Sequence, residues 1–247
     1  MSERNISSRS LILLPTYNEK NNINLIIPKI YSLLPEINIL VIDDNSPDKT
    51  AEAAAELARR YPKLRILKRP AKTGLGDAYK DGMRRIFSDE GIEFIITMDA
   101  DGSHSPEYLE SFLREMDHYD LVIGSRYVRG GGTENWELWR KKLSSFGNFS
   151  AKLLTGLKIN DFTAGFMCVR KEYLKKVNFN DIDSSGYSFL IELKFSLIKG
   201  SGARVKELPI IFKNRIEGES KINKKIILEG LKTLGGLLFK RLRRKKS

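Results

Sequence analysis

The chain has 247 residues, an ordinary apolar fraction of 41% and a formal net charge of +12. That length fits one domain plus a short appendage, with room for a core that needs no staples. Cys168 is the only cysteine, which excludes an intramolecular disulfide, and with just His104 and His118 beside it the composition argues against a Cys/His zinc site. Residues 240–247 hold six basic groups and no acid, half of the charge excess. A charge gathered on a tail is an electrostatic attachment point, not a uniformly basic surface. The first apolar run, 11–14, is too short for a secretory signal and meets Pro15. No apolar stretch is long enough to cross a bilayer. The expectation is a protein on the cytoplasmic side of a membrane, soluble or peripherally bound.

In chain order, residues 10–14 form a short apolar strand, and 21–34 carry apolar side chains at helical spacing. Residues 38–42, rich in Ile and Val, are the second strand. An Ala-rich helix over 48–60 follows, capped by Ser46 or Asp48. Strand 64–67, helix 75–87, strand 94–98, helix 106–116 and strand 121–123 complete the first half. Strands separated by helices predict an α/β fold with a mostly parallel sheet covered on both faces. The second half is less regular. Residues 129–133 read as a mobile Gly-rich loop, 136–154 as a helix, 164–169 and 205–212 as strands, and 187–198 as a helix. Residues 222–239 are apolar near helical spacing, with lysines and the basic cluster beside them. They suit either a surface helix packed on the core or an amphipathic helix lying on an anionic membrane. The basic cluster at the end of the chain favours the membrane, so the expected division is 1–221 and an amphipathic, basic, membrane-associating 222–247.

Ligands of open α/β sheets bind beyond the carboxyl ends of the strands, and the unusual polar residues cluster there. Asp99 and Asp101 stand two apart at the end of the fourth strand. Two such carboxylates can share a hard cation, Mg²⁺ or Mn²⁺, that keeps positions for water and substrate phosphate. An isolated Asp-x-Asp is more often an acidic turn or a helix cap. With Asp43 and Asp44 at the end of a neighbouring strand, that plain reading weakens, because four carboxylates in one cleft repel unless cations or donors offset them. A nucleoside diphosphate with its metal fits. The Gly-Leu-Gly run at 74–76 lacks a third glycine and does not follow the first strand, so a dinucleotide fingerprint is a poor match. No Walker A sequence is present. Arg126, at a strand end, suits a phosphate better than a surface ion pair. Arg140, in the run 140–142, fits a phosphate or a solvated helix face equally. Trp136 and Trp139 share a helix face and suit lipid or core. His104 reads as a brace for the acidic loop.

Six segments occur in an order similar to inverting family 2 glycosyltransferases. They are Leu-Pro-Thr-Tyr-Asn-Glu at 14–19, Val-Ile-Asp-Asp-Asn-Ser-Pro-Asp at 41–48, Gly-Leu-Gly-Asp-Ala at 74–78, Asp-Ala-Asp at 99–101, Gly-Ser-Arg at 124–126 and Asp-Phe-Thr-Ala-Gly at 161–165. The resemblance spans about 10–221, and within the family it resembles the branch acting on dolichyl and polyprenyl phosphates with mannose. It implies a GT-A fold, a nucleotide-sugar donor such as GDP-mannose, a polyprenyl phosphate acceptor and a membrane surface, with or without a small membrane subunit. Pro15, Tyr17, Glu19, Ile42 and Asp44 are then expected around the nucleotide. Asp99, Ala100 and Asp101 are expected at the diphosphate and metal, with Ser103 where relatives often carry a Gln ligand. Arg126 and Arg140 are expected at phosphate groups of donor or acceptor, Arg126 at both, with Ser144 at the acceptor phosphate, and Arg215, Ser220 and Lys221 in a segment closing over the donor. Asp99, Asp101 and Arg126 are the residues expected to carry catalysis. The competing readings are a UDP-glucose-dependent or other family 2 transferase, an inactive binding or regulatory subunit, and a nucleic-acid binder. The last is disfavoured because no nucleic-acid motif accompanies the terminal charge.

Overall fold

Residues 10–16, 38–43 and 94–97 are buried almost throughout, so they read as unbroken apolar runs rather than as alternation. The computed structural model describes residues 3–182, 184, 186, 188–213, 233, 235, 236 and 238. The expected amphipathic segment and basic tail of 222–247 lie almost wholly outside these residues. The strands are β1 (Ser10–Thr16), β2 (Asn38–Asp43), β3 (Leu64–Lys68), β4 (Phe94–Thr97), β5 (Leu121–Ser125), β6 (Gly132–Thr133), β7 (Met167–Arg170), β8 (Val205–Pro209) and β9 (Ile211–Phe212). The helices are α1 (Glu3–Ser8), α2 (Lys20–Leu33), α3 (Thr50–Arg60), α4 (Leu75–Ile86), α5 (Leu109–Glu115), α6 (Leu138–Thr155), α7 (Lys171–Lys175) and α8 (Ser188–Phe195).

Seven strands form one sheet in the order β3-β2-β1-β4-β7-β5-β8. Pairings among β3, β2, β1 and β4 are parallel, as is β5 with β8. Only β7 runs antiparallel, to β4 on one side and β5 on the other. Two apolar clusters pack on the two faces of the sheet. One gathers Leu13, Ile42, Tyr79, Phe162 and Phe189, the other Ile12, Val41, Phe112 and Phe166. The chain reverses its strand order at β1, where β2 lies on one side and β4 on the other. A crevice at that switch point is where a ligand enters such a sheet. Among the described residues no helix is long and apolar enough to cross a membrane.

The second half departs from the sequence reading. The segment 205–212 is two strands, because after Pro209 the chain leaves the main sheet: the Ile210 N–H bonds the Ser125 carbonyl at 3.1 Å, and β9 pairs with β6. The Gly-rich stretch at 129–133, expected as a mobile loop, is thereby tied down. Gly132 donates to the Ile210 carbonyl at 3.0 Å and Glu134 to Phe212 at 2.9 Å. Helix 106–116 divides into a 3₁₀ turn at Pro106–Tyr108 and α5, and α8 passes into a π turn over Ser196–Gly200. Neither α1 nor α7 was expected, since five or six residues give too few apolar positions for a period to emerge.

Gly131 is required by close approach. A Cβ there would lie 2.4 Å from the Ser125 carbonyl oxygen, a backbone atom that cannot swing aside. Gly131→Ala is therefore expected to lower stability by roughly 2 kcal/mol, read from a denaturant midpoint. An unchanged midpoint would contradict the tied-down loop.

Candidate active site

The loops after β1 and β2 are laced by short polar side chains. Asn18 donates its N–H to Ser46 Oγ at 3.0 Å, and Ser46 donates its hydroxyl to Asp43 Oδ1 at 2.6 Å and its N–H to Oδ2 at 3.0 Å. Thr16 adds a hydroxyl bond to Asp43 at 3.2 Å. Asn18 and Asn45 both sit at positive φ, a conformation that asparagine tolerates better than most side chains. Asp48 accepts the N–H groups of Lys20 and Thr50, each at 3.0 Å, so it joins the starts of α2 and α3. Asp43 is thus occupied as a loop brace.

Asp44 is buried against Arg69, whose guanidinium also bonds Asp81 at 2.8 Å and Thr73 at 2.7 Å. Burial raises the Asp44 pKa above the usual carboxylate range, and the hydrogen bond and charge of Arg69 offset only part of that. Protein donors therefore already offset two of the four carboxylates expected in the cleft. Pro15, Tyr17 and Glu19 are partly exposed along the same rim, and Lys72 Nζ lies 3.5 Å from the Tyr17 ring centroid. Ile42 is fully enclosed and packs against Gly82 of α4.

The acidic pair follows β4. Asp99 is partly exposed, Ala100 and Asp101 are buried, and Asp101 Oδ1 accepts both the Ser103 hydroxyl at 2.6 Å and its N–H at 3.0 Å. The Ser103 hydroxyl, expected as a metal ligand, gives its hydrogen to Asp101 and keeps its oxygen lone pairs. His104 accepts the Asp99 N–H on Nδ1 at 2.9 Å and stacks on Phe166 with centroids 5.0 Å apart. Burial pushes its pKa below the ordinary histidine value although Asp99 and Asp101 pull the other way, so the ring is neutral at pH 7. That geometry is a brace. Among the described residues no group of three or more His, Cys, Asp or Glu is arranged to hold a metal ion by itself. A cation at Asp99 and Asp101 would draw its remaining ligands from phosphate and water, as Mg²⁺ commonly does.

Opposite lies a buried charge network. Arg126 grips Asp161 with Nε and a terminal nitrogen, both at 2.7 Å, and reaches Thr163 Oγ1 at 2.7 Å. Burial alone would raise the Asp161 pKa, but the charge and hydrogen bonds of Arg126 outweigh it and hold the carboxyl below its usual range. Glu207 on β8 accepts the N–H groups of Asn160 and Asp161, both at 2.9 Å. Asn148 on α6 accepts the Phe162 N–H at 2.7 Å. Lys194, fully buried on α8, donates to the carbonyls of Phe162 at 2.9 Å and Ala164 at 2.6 Å. The same segment places Gly165 against the pair: a Cβ there would sit 3.4 Å from His104 and 3.6 Å from Asp99 Oδ1. Thr97 fixes it through the Gly165 carbonyl at 2.6 Å.

Arg126 also borders a cavity of about 320 Å³ with Tyr127, Gly132, Thr133, Lys141, Lys142 and Ser145. Of the three residues expected at an acceptor phosphate, Arg126 lines this space. Arg140 lies instead against the Trp136 ring at 4.0 Å, and the Ser144 carbonyl receives Asn148 at 3.0 Å. Arg215, Ser220 and Lys221 lie outside the described residues. Sequence reasoning assigned no role to Asp161, Lys194, Glu207 or Asn148. The signal for Lys194 was present, since the mostly apolar run 189–197 is broken only by Glu192, Lys194 and Ser196, and charged side chains in such a run are expected to be partnered.

Comparison with known proteins agrees with this architecture. Residues 11–177 match the glycosyl transferase family 2 model. The polyprenol monophosphomannose synthase of Mycolicibacterium smegmatis is 41% identical over 91% of this chain and 85% of its own. The undecaprenyl-phosphate mannosyltransferase of Micrococcus luteus is 39% identical over 90% and 91%. The dolichol-phosphate mannosyltransferase of Pyrococcus furiosus is 36% identical over 92% of this chain and 63% of its own. Glucosyl-3-phosphoglycerate synthase from Mycobacterium tuberculosis, solved with Mn²⁺, uridine diphosphate and glucosyl-3-phosphoglycerate, superposes with a TM-score of 0.66 at 15% identity. It covers 98% of this chain and 84% of its own, and it shares the GT-A fold.

Two predictions follow from the network. Asp161→Ala leaves the Arg126 charge buried without its partner and is expected to cost about 3–5 kcal/mol in a denaturant titration; a loss below ~1 kcal/mol would show that the pair is dispensable. Burial lowers the Lys194 pKa from 10.5 to about 7. The unfolded chain then binds more protons than the folded one between those values, so stability rises with pH there. The stability advantage of the wild type over Lys194→Met is expected to widen from pH 7 to about 10, and a gap constant across that window would refute the assignment.

Proposed function

The chain belongs to glycosyl transferase family 2, and we propose that it transfers mannose from GDP-mannose to the phosphate of a polyprenyl lipid, with inversion at the sugar carbon. The observation that carries this reading is the identity of 39–41% over 90–91% of the chain to enzymes whose names join mannose to a polyprenol or undecaprenyl phosphate. Pro15, Tyr17, Glu19 and Asp44 form the nucleotide side of the crevice, with Ile42 contributing through the packing of the β2 end. Arg215 and Lys221 are assigned to the donor on resemblance alone.

Asp99 and Asp101 are the residues that would hold a divalent cation, Mg²⁺ or Mn²⁺, and such a cation would supply positive charge beside the diphosphate leaving group. Ser103 and His104 keep the two carboxylates and their loop in place before substrate arrives, and such pre-organisation is what electrostatic catalysis requires. Arg126, held by Asp161, faces the cavity beside Lys141, Lys142 and Ser145, and this cavity receives the acceptor phosphate. A phosphate oxygen forms the new bond to the anomeric carbon as the bond to the diphosphate breaks, and the electron pair leaves with GDP. The acceptor is already an anion near neutral pH, so no strong general base is needed. The neutral, fully enclosed His104 fits that requirement. The catalytic gain comes from alignment of two anions by fixed cations.

The test is transfer of labelled mannose from GDP-mannose to a polyprenyl phosphate in detergent, with Mg²⁺ or Mn²⁺ and then with EDTA. Lipid-linked product that disappears with EDTA is expected. Preferential use of UDP-glucose would replace the donor assignment. Asp101→Ala is expected to lower turnover about 100-fold or more. His104→Ala is expected to lower it less while also lowering the melting temperature, because it loosens the loop. Equal losses of turnover in both variants, with no thermal effect, would give His104 a part in the chemistry.

A further inference from the structure

The eight large apolar side chains that stand out in solvent among the described residues are not scattered. Five of them, Leu138, Trp139, Phe146, Phe149 and Leu153, lie on α6, each 55–75% exposed. From Trp139 the steps are seven, three and four residues, which keep them on one face of the helix. A patch of this kind marks an interaction surface. The opposite side of α6 buries only Asn148, Ala151 and Thr155, so small side chains seat the helix and the large ones face away.

Charge identifies what covers the face. Over its 18 residues α6 has no acid and carries Arg140, Lys141, Lys142 and Lys152, the lysines exposed. An apolar stripe flanked by lysines, with a tryptophan at one end, is the composition of a helix lying in the headgroup layer of an anionic bilayer. A protein partner or a second copy of this chain would have to supply the missing acids, and the chain itself is strongly basic. The cavity beside Arg126 opens next to the first turns of this same helix, lined by Lys141, Lys142 and Ser145.

We propose that the exposed face of α6 inserts into the headgroup layer of an anionic membrane and so brings the cavity at its N-terminal end to the depth of lipid phosphates. The membrane contact rests on α6 alone; its purpose, delivery of a lipid phosphate to the cavity, rests on the transferase reading. The basic segment 240–247 adds long-range attraction, whereas α6 sets depth and orientation.

Trp139 reports on the contact directly, because the only other tryptophan, Trp136, is buried. The full-length chain is mixed with vesicles of phosphatidylcholine and phosphatidylglycerol that carry brominated acyl chains. Quenching and a blue shift of emission are expected, both lost in Trp139→Phe. Phe146→Ser with Phe149→Ser, two exposed positions that leave the core and the cavity intact, is expected to weaken partitioning about tenfold or more. In detergent, where no bilayer has to be found, the double variant keeps its mannosyl transfer. Undiminished vesicle binding by the double variant, or binding without quenching of Trp139, would overturn the proposal and leave the basic tail as the attachment. A concentration-dependent dimer abolished by the double variant, with Trp139 unquenched, would overturn it in favour of a second copy on this face. Absence of transfer by the wild type in detergent would sink the reaction assignment and leave the quenching result standing.

Discussion

The buried pair of Arg126 and Asp161 is the interaction on which the second half of the site depends. A guanidinium taken out of water needs a partner of matching geometry, and the carboxylate meets it with two parallel bonds of 2.7 Å. Such a pair adds little to stability compared with apolar packing, but it fixes position. Arg126 sits just past β5, whereas Asp161 lies in the segment leading to β7. Their union, with Glu207 from β8, Asn148 from α6 and Lys194 from α8, locks the otherwise irregular backbone of 160–165. Lys194 donates to two carbonyls of that segment, those of Phe162 and Ala164.

The two halves of the crevice solve one problem in different ways. Beside β1 and β2, parallel strands end together and their loops are tied by Asp43, Ser46, Asp48 and Thr50, which accept bonds from residues 27–31 positions earlier in the chain. On the Arg126 side, one strand runs backwards. The antiparallel β7 enters the sheet beside β4 from the end that carries Asp99 and Asp101, so the segment before it packs against them. The small β6–β9 pair then closes over Arg126, and Lys213 donates to the Ser103 carbonyl at 3.2 Å, joining that cover to the acidic loop. The acidic pair, the Arg126 network and the cavity thus form one continuous structure.

For an enzyme whose acceptor is a lipid, geometry relative to the bilayer matters as much as geometry within the site. A helix lying in the headgroup layer and bordering the cavity beside Arg126 would hold that cavity at phosphate depth. Lys141 and Lys142 would serve both ends of that arrangement, since they line the cavity and stand beside the exposed apolar stripe.

The sequence by itself determined the α/β class, the positions of the first five strands along the chain and the acidic pair at the end of β4. Those features are local: apolar runs of strand length, a period of 3.6, and polar residues placed where strands stop. It also marked His104 as a brace, which the Asp99 N–H bond bears out. Only the tertiary structure decided that β7 runs antiparallel, that the chain divides after Pro209, and that the Gly-rich segment at 129–133 is pinned to β9. Strand direction and pairing depend on contacts between residues tens of positions apart, which no local period encodes. It alone showed that Asp44 is offset by Arg69, that Ser103 serves Asp101, and that Lys194 underpins the loop. A polar side chain shows its type in the sequence, but its partner is fixed only when the fold brings the two together out of water.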